Sequence, residues 1–508
     1  MKLLGIDIGT GGTRAVLINE LGQVVATADS PHEPFQSPAL GWAEQDANDW
    51  WSACRLAIRK LLQLTRLPPQ EISGVALTGQ MHGTVLLNEK DEVLRPAIIW
   101  CDQRSAAECN ELNQLIGADR LIQLTCNPAL TNFTLTKLLW VRKHEPFTWR
   151  EVRHVLLPKD YVRFKLTGTR AIDVAEASGT LMLDVAQRRW SQPILAVCEL
   201  DERILPTLFE SPEVVGVITP DSAAETGLRP GTPVIAGAGD QAAGAVGMGI
   251  VRPGAVSATI GTSGVVFAAS DCPALDPRGR LHTFCHAVPG VWHVMGVTQA
   301  AGLSLRWFRD NFGPSACEGR DPYDCLCEEA ATVPPGAEGA LWAPYLMGER
   351  TPHLDPQARA ALVGLTASHH RGHIVRAILE GVAFSLRDSL TIFQEMGVPV
   401  ESIRLGGGGA RSKLWRQIQA DVYGHPVETV AADEGAAYGA AILAGVGVGL
   451  WPDVETACRS VVHVADRTDP DPASCGVMST QYAKFRAIYP ALKEIERALS
   501  SEAHCAGR

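Results

Sequence analysis

Two segments in opposite halves of this chain read almost alike: IGTGG at 8–12 and IGTSG at 260–264. Each lies between two runs of small and β-branched apolar residues, LLGIDIG and RAVLIN around the first, GAVSATIG and VVFAAS around the second. Both therefore read as strand, Gly/Thr/Ser turn, strand. The echo in matching settings predicts an internal structural duplication. It also carries chemistry. A turn rich in Gly, Thr and Ser can aim several N–H groups and hydroxyls at one point, and glycine lets an anion approach the backbone closely. An ordinary hairpin needs the glycine but not the Thr or Ser repeated beside it. Thr10 and Gly11 in the first turn, and Gly261, Thr262 and Ser263 in the second, are candidate phosphate contacts.

The rest of the chain fits an α/β architecture of two domains. At 508 residues it is too long for one core. Three antiparallel strands open it, a Trp-containing helix follows at roughly 47–64, and strands GVALTG (74–79) and AIIWCD (97–102) begin an alternation of strands and helices. The Pro/Gly cluster RPGTP places the expected boundary at 229/230, giving domains 1–229 and 230–508. A closing helix at roughly 480–499 is expected to pack back toward the first domain. A net charge of −11 argues against general nucleic-acid binding and against docking on anionic lipid, but not against a phosphate ligand held by backbone N–H groups. Thirteen scattered cysteines do not form a disulfide framework. MKLLGIDIG does not read as a signal peptide, and the uncharged run 435–451 reads, from its Gly and Ala content, as a closely packed helix rather than a membrane span. A cytoplasmic protein without nucleic-acid or membrane partners is expected.

Four further motifs are candidate site elements. RLGGGGARSKLWRQIQAD (404–421) runs from a strand through four glycines into an amphipathic helix; it lacks the P-loop pattern, and Gly407, Gly408 and Arg411 are candidate nucleotide contacts. LTGQMHG (77–83) ends a strand with Gln80, Met81 and His82, where open α/β sheets bind ligands, and these residues suit polyol recognition. WCDQRS ends the next strand with Asp102 and Arg104, which fit either a sugar site or a surface ion pair. In GAGDQAAGAVG (237–247), Asp240 stands alone at a strand end with Gln241 beside it and no cation nearby in sequence. Three roles are open to it: a helix cap, a metal ligand, or a general base for a substrate hydroxyl.

Taken in order along nearly the whole chain, these motifs resemble the FGGY family of carbohydrate kinases. DIGTGGT, GWAEQD (41–46), GQMHG, RPAIIWCDQR, KLLWVRKHEP, LLPKDYVRFKLTG, PYLMGERTPH (344–353), AILEGVAFSLRD and the GAAYGAA helix carry the likeness together with the Asp240 and glycine segments. The resemblance implies two actin-like, ribonuclease-H-like ATPase domains flanking a cleft. It implies ATP and Mg²⁺ as cofactors, with Asp240 as the base that takes the proton of the D-xylulose 5-hydroxyl and D-xylulose 5-phosphate as product. Sugar contacts are implied at Met81, His82 and Asp102, with Gln80, Arg104, Trp42 and Gln241 around them. Asp7 is implied near Mg²⁺, through water, with Thr10; Thr262 and Ser263 near the β- and γ-phosphates; Gly407, Gly408 and Arg411 along the adenosine. QMHG is the part that favours xylulose over glycerol or gluconate. Ribulose or a signalling sugar as acceptor, and an actin-like chaperone or filament ATPase, are the competing readings. Homodimers occur among such kinases, and no stretch here identifies an interface. Gln241 stands where Asn is frequent, and Tyr438 where a small aliphatic residue is expected near adenine.

Overall fold

Short apolar strands broken by glycine build two mixed sheets in the computed structural model, which describes residues 1–313, 317, 319–432 and 434–506. The first sheet contains Lys2–Ile8 (β1), Gly12–Asn19 (β2), Val24–Pro31 (β3), Ile72–Gly79 (β4), Val214–Val217 (β5) and Pro233–Gly239 (β6), in the order β5-β6-β4-β1-β2-β3. The strands β1, β2 and β3 form an antiparallel meander, and β4 and β6 add in parallel. The second sheet contains Gly254–Ile260 (β7), Gly264–Ser270 (β8), His282–Cys285 (β9), Trp292–Thr298 (β10), Val400–Gly407 (β11), Val427–Val430 (β12) and Val464–Thr468 (β13), in the order β9-β10-β8-β7-β11-β12-β13. Here β7, β8 and β10 form the meander, and β11 and β12 the parallel extension. The duplication expected from the two turns is thus present, with β9 as an additional edge strand in the second sheet.

Two expectations about the domains are corrected. β6 lies between β4 and β5, so the first sheet keeps the chain through Gly239, beyond the 229/230 boundary. The Pro/Gly cluster is only the turn that feeds this strand. The closing helix, Pro472–Ala506 (α6), packs on the second half, where Met478, Tyr482, Phe485 and Tyr489 join the core of Arg371–Glu395 (α3) and Lys413–Tyr423 (α4).

The halves interlock through two helices made of small residues, Asp240–Gly247 (α2) and Gly435–Gly447 (α5). A β-carbon on Gly439 would lie 1.8 Å from the Ala243 carbonyl oxygen, and one on Gly5 would lie 1.9 Å from that of Ala437. Backbone meets backbone at both crossings, so α5 rests on β1 and against α2. Leu3, Val16 and Ile235 of the first sheet share its core with Ala437, Ala441 and Leu443. The Gly/Ala content of 435–447 therefore serves this crossing. No helix among the described residues is long and apolar enough to cross a membrane.

Candidate active site

Parallel pairing brings the strand ends together. Ile8 pairs with Gly79, and Gly79 with Gly239, so the first turn, Gln80 and Asp240 emerge side by side at the carboxyl edge of the first sheet. Gly237, at φ +76°, makes the bulge in β6; a β-carbon there would lie 1.8 Å from the Leu77 carbonyl oxygen. In the second sheet Ile260 pairs with Gly407, so the glycine run lies beside the second turn.

Asp240 is the first residue of α2, and Gly239 occupies the cap position. The helix-cap role is therefore removed. The half-buried carboxylate accepts from the backbone and side chain of Gln241; burial raises its pKa from 3.8 to about 6, against those hydrogen bonds. Asp7, at the end of β1, shares a cavity of about 340 Å³ with Asp240, Gln241, Thr259, Gly406 and Gly407. Burial first, then the charge of Asp240, raise the Asp7 pKa to about 7, with the smaller effect of Arg14, which is paired with Glu434, opposing them. One Asp7 oxygen is buried with no donor.

An orphaned carboxylate oxygen facing a second carboxylate suits a hydrated divalent cation. Among the described residues no three or more metal-ligating side chains converge, so water and phosphate oxygens would complete the shell, as Mg²⁺ prefers.

A second cavity of about 290 Å³ adjoins along Ile260 and the glycine run. Gly261, Thr262, Gly408 and Arg411 line it, with Leu305 and Trp415 as apolar walls. Gly407 lines the first cavity instead, and Ser263, Thr10 and Gly11 line neither. Thr10 takes a hydrogen bond from the Trp100 indole at 2.9 Å. Tyr438 lies elsewhere, its hydroxyl donating to the Gly22 carbonyl at 2.9 Å, so it does not crowd the second cavity.

The QMHG residues divide. Gln80 is buried; its amide donates to Gly9 O and Gln45 Oε1, so it braces the first turn rather than offering itself to a ligand. Met81 packs beside Gly239, directly before Asp240. His82 has φ +69°, an uncommon conformation for a non-glycine residue. Its Nδ1 lies 2.6 Å from the Gly179 carbonyl, and burial drives its pKa to about 3, so it is neutral and Nδ1 is the donor. Nε2 is left as an acceptor without a protein partner among the described residues.

Asp102 and Arg104 form a buried ion pair at 2.8 Å, not a surface one. The Asp102 carboxylate also accepts from Ala43 N, while the Arg104 guanidinium reaches Glu44 at 2.6 Å and lies 3.9 Å over the Trp42 ring. The polar groups of Asp102 and Arg104 are thus already engaged within the protein. Sequence reasoning passed over Gln45, inside GWAEQD, whose amide holds Thr10 O at 2.8 Å. It also passed over buried Lys137, which donates to the His82 and Asn132 carbonyls. Nothing in the spacing of Lys137 marks it as a support for His82.

Comparison with known proteins agrees with this geometry. The model of the FGGY carbohydrate kinase N-terminal domain matches residues 2–247 and that of the C-terminal domain 256–448, meeting where the first sheet and α2 end. Xylulose kinase of Bacillus subtilis (strain 168) is 37% identical over 98% of this chain and 99% of its own. Gluconokinase of the same organism is 33% identical over 87% of this chain and 86% of its own. The crystal structure of xylulose kinase from Rhodospirillum rubrum superposes with a TM-score of 0.91 at 33% identity, covering 98% of this chain and 100% of that one. With both family models matched in order and the two-domain fold present, the chain is a phosphotransferase that belongs to the FGGY family of carbohydrate kinases.

Proposed function

We propose that this kinase transfers the γ-phosphoryl group of ATP to the 5-hydroxyl of D-xylulose, giving D-xylulose 5-phosphate and ADP. The observation that carries the reading is Asp240: a half-buried carboxylate without an ionic partner among the described residues, following Gly239, against which Met81 packs, and lining the cavity it shares with Asp7, Gly406 and Gly407. Phosphoryl transfer requires mainly alignment and charge neutralisation. Adenosine would occupy the cavity of Thr262, Gly408 and Arg411, with the phosphates running past Gly407 toward Asp7. Asp240 accepts the hydroxyl proton as the oxygen attacks, and its pKa near 6 keeps it ionised yet basic at neutral pH. A Mg²⁺ ion held through water by Asp7 would supply neutralisation of the phosphate charge.

The test is ADP release across a panel of D-xylulose, D- and L-ribulose, gluconate and glycerol. D-Xylulose should give the highest kcat/KM. A higher value for gluconate, whose kinase is among the relatives, would reassign the acceptor, and ATP turnover stimulated by unfolded peptide rather than sugar would refute kinase action on a sugar altogether.

A further inference from the structure

The PYLMGERTPH motif has no role in the mechanism above, yet it is held firmly. The Glu349 carboxyl accepts from Gln299 N at 2.9 Å and from Arg350 N at 2.7 Å. The Thr351 hydroxyl donates to the Arg280 carbonyl at 2.8 Å and accepts from Val297 N at 3.1 Å. Arg350 is thus fixed to the end of β10 in the second half of the chain. Its guanidinium, in a half-buried residue, makes no hydrogen bond and no ion pair among the described residues. The adjacent Glu349 makes no ion pair with it: that carboxyl is turned to the Gln299 and Arg350 backbone N–H groups, and burial pushes its pKa up to about 8. A guanidinium withdrawn from water without an acceptor is costly. Five donors in a planar fork are suited to adjacent oxygens.

The anchor locates that fork: Thr351 holds the Arg280 carbonyl two residues before His282, whose ring lies 5.8 Å from the Phe133 ring, and the His82 ring lies 5.1 Å from the same ring. The charge of Arg350 accordingly helps to lower the pKa of both histidines. Arg350 therefore belongs to the His82 end of the site.

We propose that Arg350 is a substrate-contacting residue delivered by the second half of the chain, its guanidinium donating to the sugar oxygens remote from the hydroxyl that is phosphorylated, opposite His82 Nε2. This rests on the sugar-kinase reading. The test is steady-state kinetics of Arg350→Met and Arg350→Lys in the full-length enzyme, with D-xylulose and ATP varied in turn. Arg350→Met should raise the sugar KM by about 10- to 100-fold, the range for losing hydrogen bonds from a charged group. Turnover should change less than about threefold and the ATP KM less than about twofold, as for a contact made equally in ground and transition states. Arg350→Lys, which keeps the charge but not the fork, should recover part of the loss. Because the wild-type guanidinium lacks a protein partner, Arg350→Met should melt no lower than wild type without ligand. An unchanged sugar KM, an equal rise in the ATP KM, or a variant too unstable to assay would each overturn the proposal. Wild-type enzyme inactive on every sugar of the panel would instead refute the kinase reading, and is established before any variant is measured.

Discussion

Asp240→Asn separates the two consequences of placing an unpaired acid in the cleft. The replacement keeps the size of the side chain and removes its charge. With a pKa near 6, Asp240 is about nine-tenths ionised at pH 7, so wild-type enzyme has its base ready and the variant has none. A general base contributes roughly 10² to 10⁴ in rate, or about 3–5 kcal/mol of barrier, and turnover should fall by that factor. Stability should move the other way. Raising the folded pKa above 3.8 means that the folded state resists ionisation, so the penalty is absent below about pH 4 and fully present at pH 7. The rise to about 6 sets a ceiling of ~3 kcal/mol, and a half-buried side chain screened by water should show nearer ~1 kcal/mol. A coupled ADP-release assay and ligand-free melting curves read the two quantities. The expected result is a hundredfold or greater loss of turnover, ATP binding retained, and a melting temperature equal to or above wild type. Wild-type turnover would remove Asp240 from the mechanism; a fall in melting temperature of several degrees would refute the account of an uncompensated charge.

Asp7→Ala should raise the Mg²⁺ concentration for half-maximal rate by about tenfold or more, since the orphaned oxygen is lost; an unchanged Mg²⁺ titration counts against that role. The profile of kcat/KM against pH should fall on the acid side as pH drops through about 6, where Asp240 takes up a proton, and this limb should be absent from whatever activity Asp240→Asn retains. Arg104→Met should cost about 3 kcal/mol of stability, because buried Asp102 loses its ion-pair partner while Glu44 keeps Arg95; a melting temperature within a degree or two of wild type would show that Asp102 relaxes toward water. Gly439→Val should give an enzyme that fails to fold or melts many degrees lower, as its β-carbon meets the Ala243 carbonyl at 1.8 Å, and a stable variant would mean that the α2–α5 crossing can open.

What was readable in the sequence was local. Strand–turn–strand units declare themselves by apolar runs broken at glycine, so the first meander, the opening hairpin of the second and the strand into Asp240 could be placed without coordinates, while β10 could not. What was missed depends on pairing between distant segments. RPGTP looks like a linker because Pro and Gly cluster there, yet the next strand pairs with β4, about 160 residues earlier, and belongs to the first sheet. The Gly and Ala content of 435–447 marks a closely packed helix, but only the folded structure shows that α2 and β1 are what it packs against. Gln80 and Asp102 have residue types that suit a sugar, and only the folded structure reveals that Gln45, Ala43 and Arg104 already hold them. A sequence gives the donors and acceptors at a site; it does not say which are already spent on one another.

The duplication explains how one topology can serve two ligands. In each sheet a parallel strand ends beside the Gly/Thr turn, β4 next to Ile8 and β11 next to Ile260. β4 ends in Gly-Gln-Met-His, and its side chains fill the space around the first turn, closing it with Gln80 and leaving His82 as an acceptor. β11 ends in four glycines, so the second turn faces bare backbone, and a β-carbon on Gly407 would lie 2.5 Å from the Ile260 carbonyl. Side chains select among small polar molecules by hydrogen-bond pattern, while bare backbone admits an extended anion. On the proposed reading the first half therefore recognises the sugar and the second the nucleotide. Asp240 stands between them because β6, added in parallel to β4, ends in the same row and delivers its acid where the two surfaces meet.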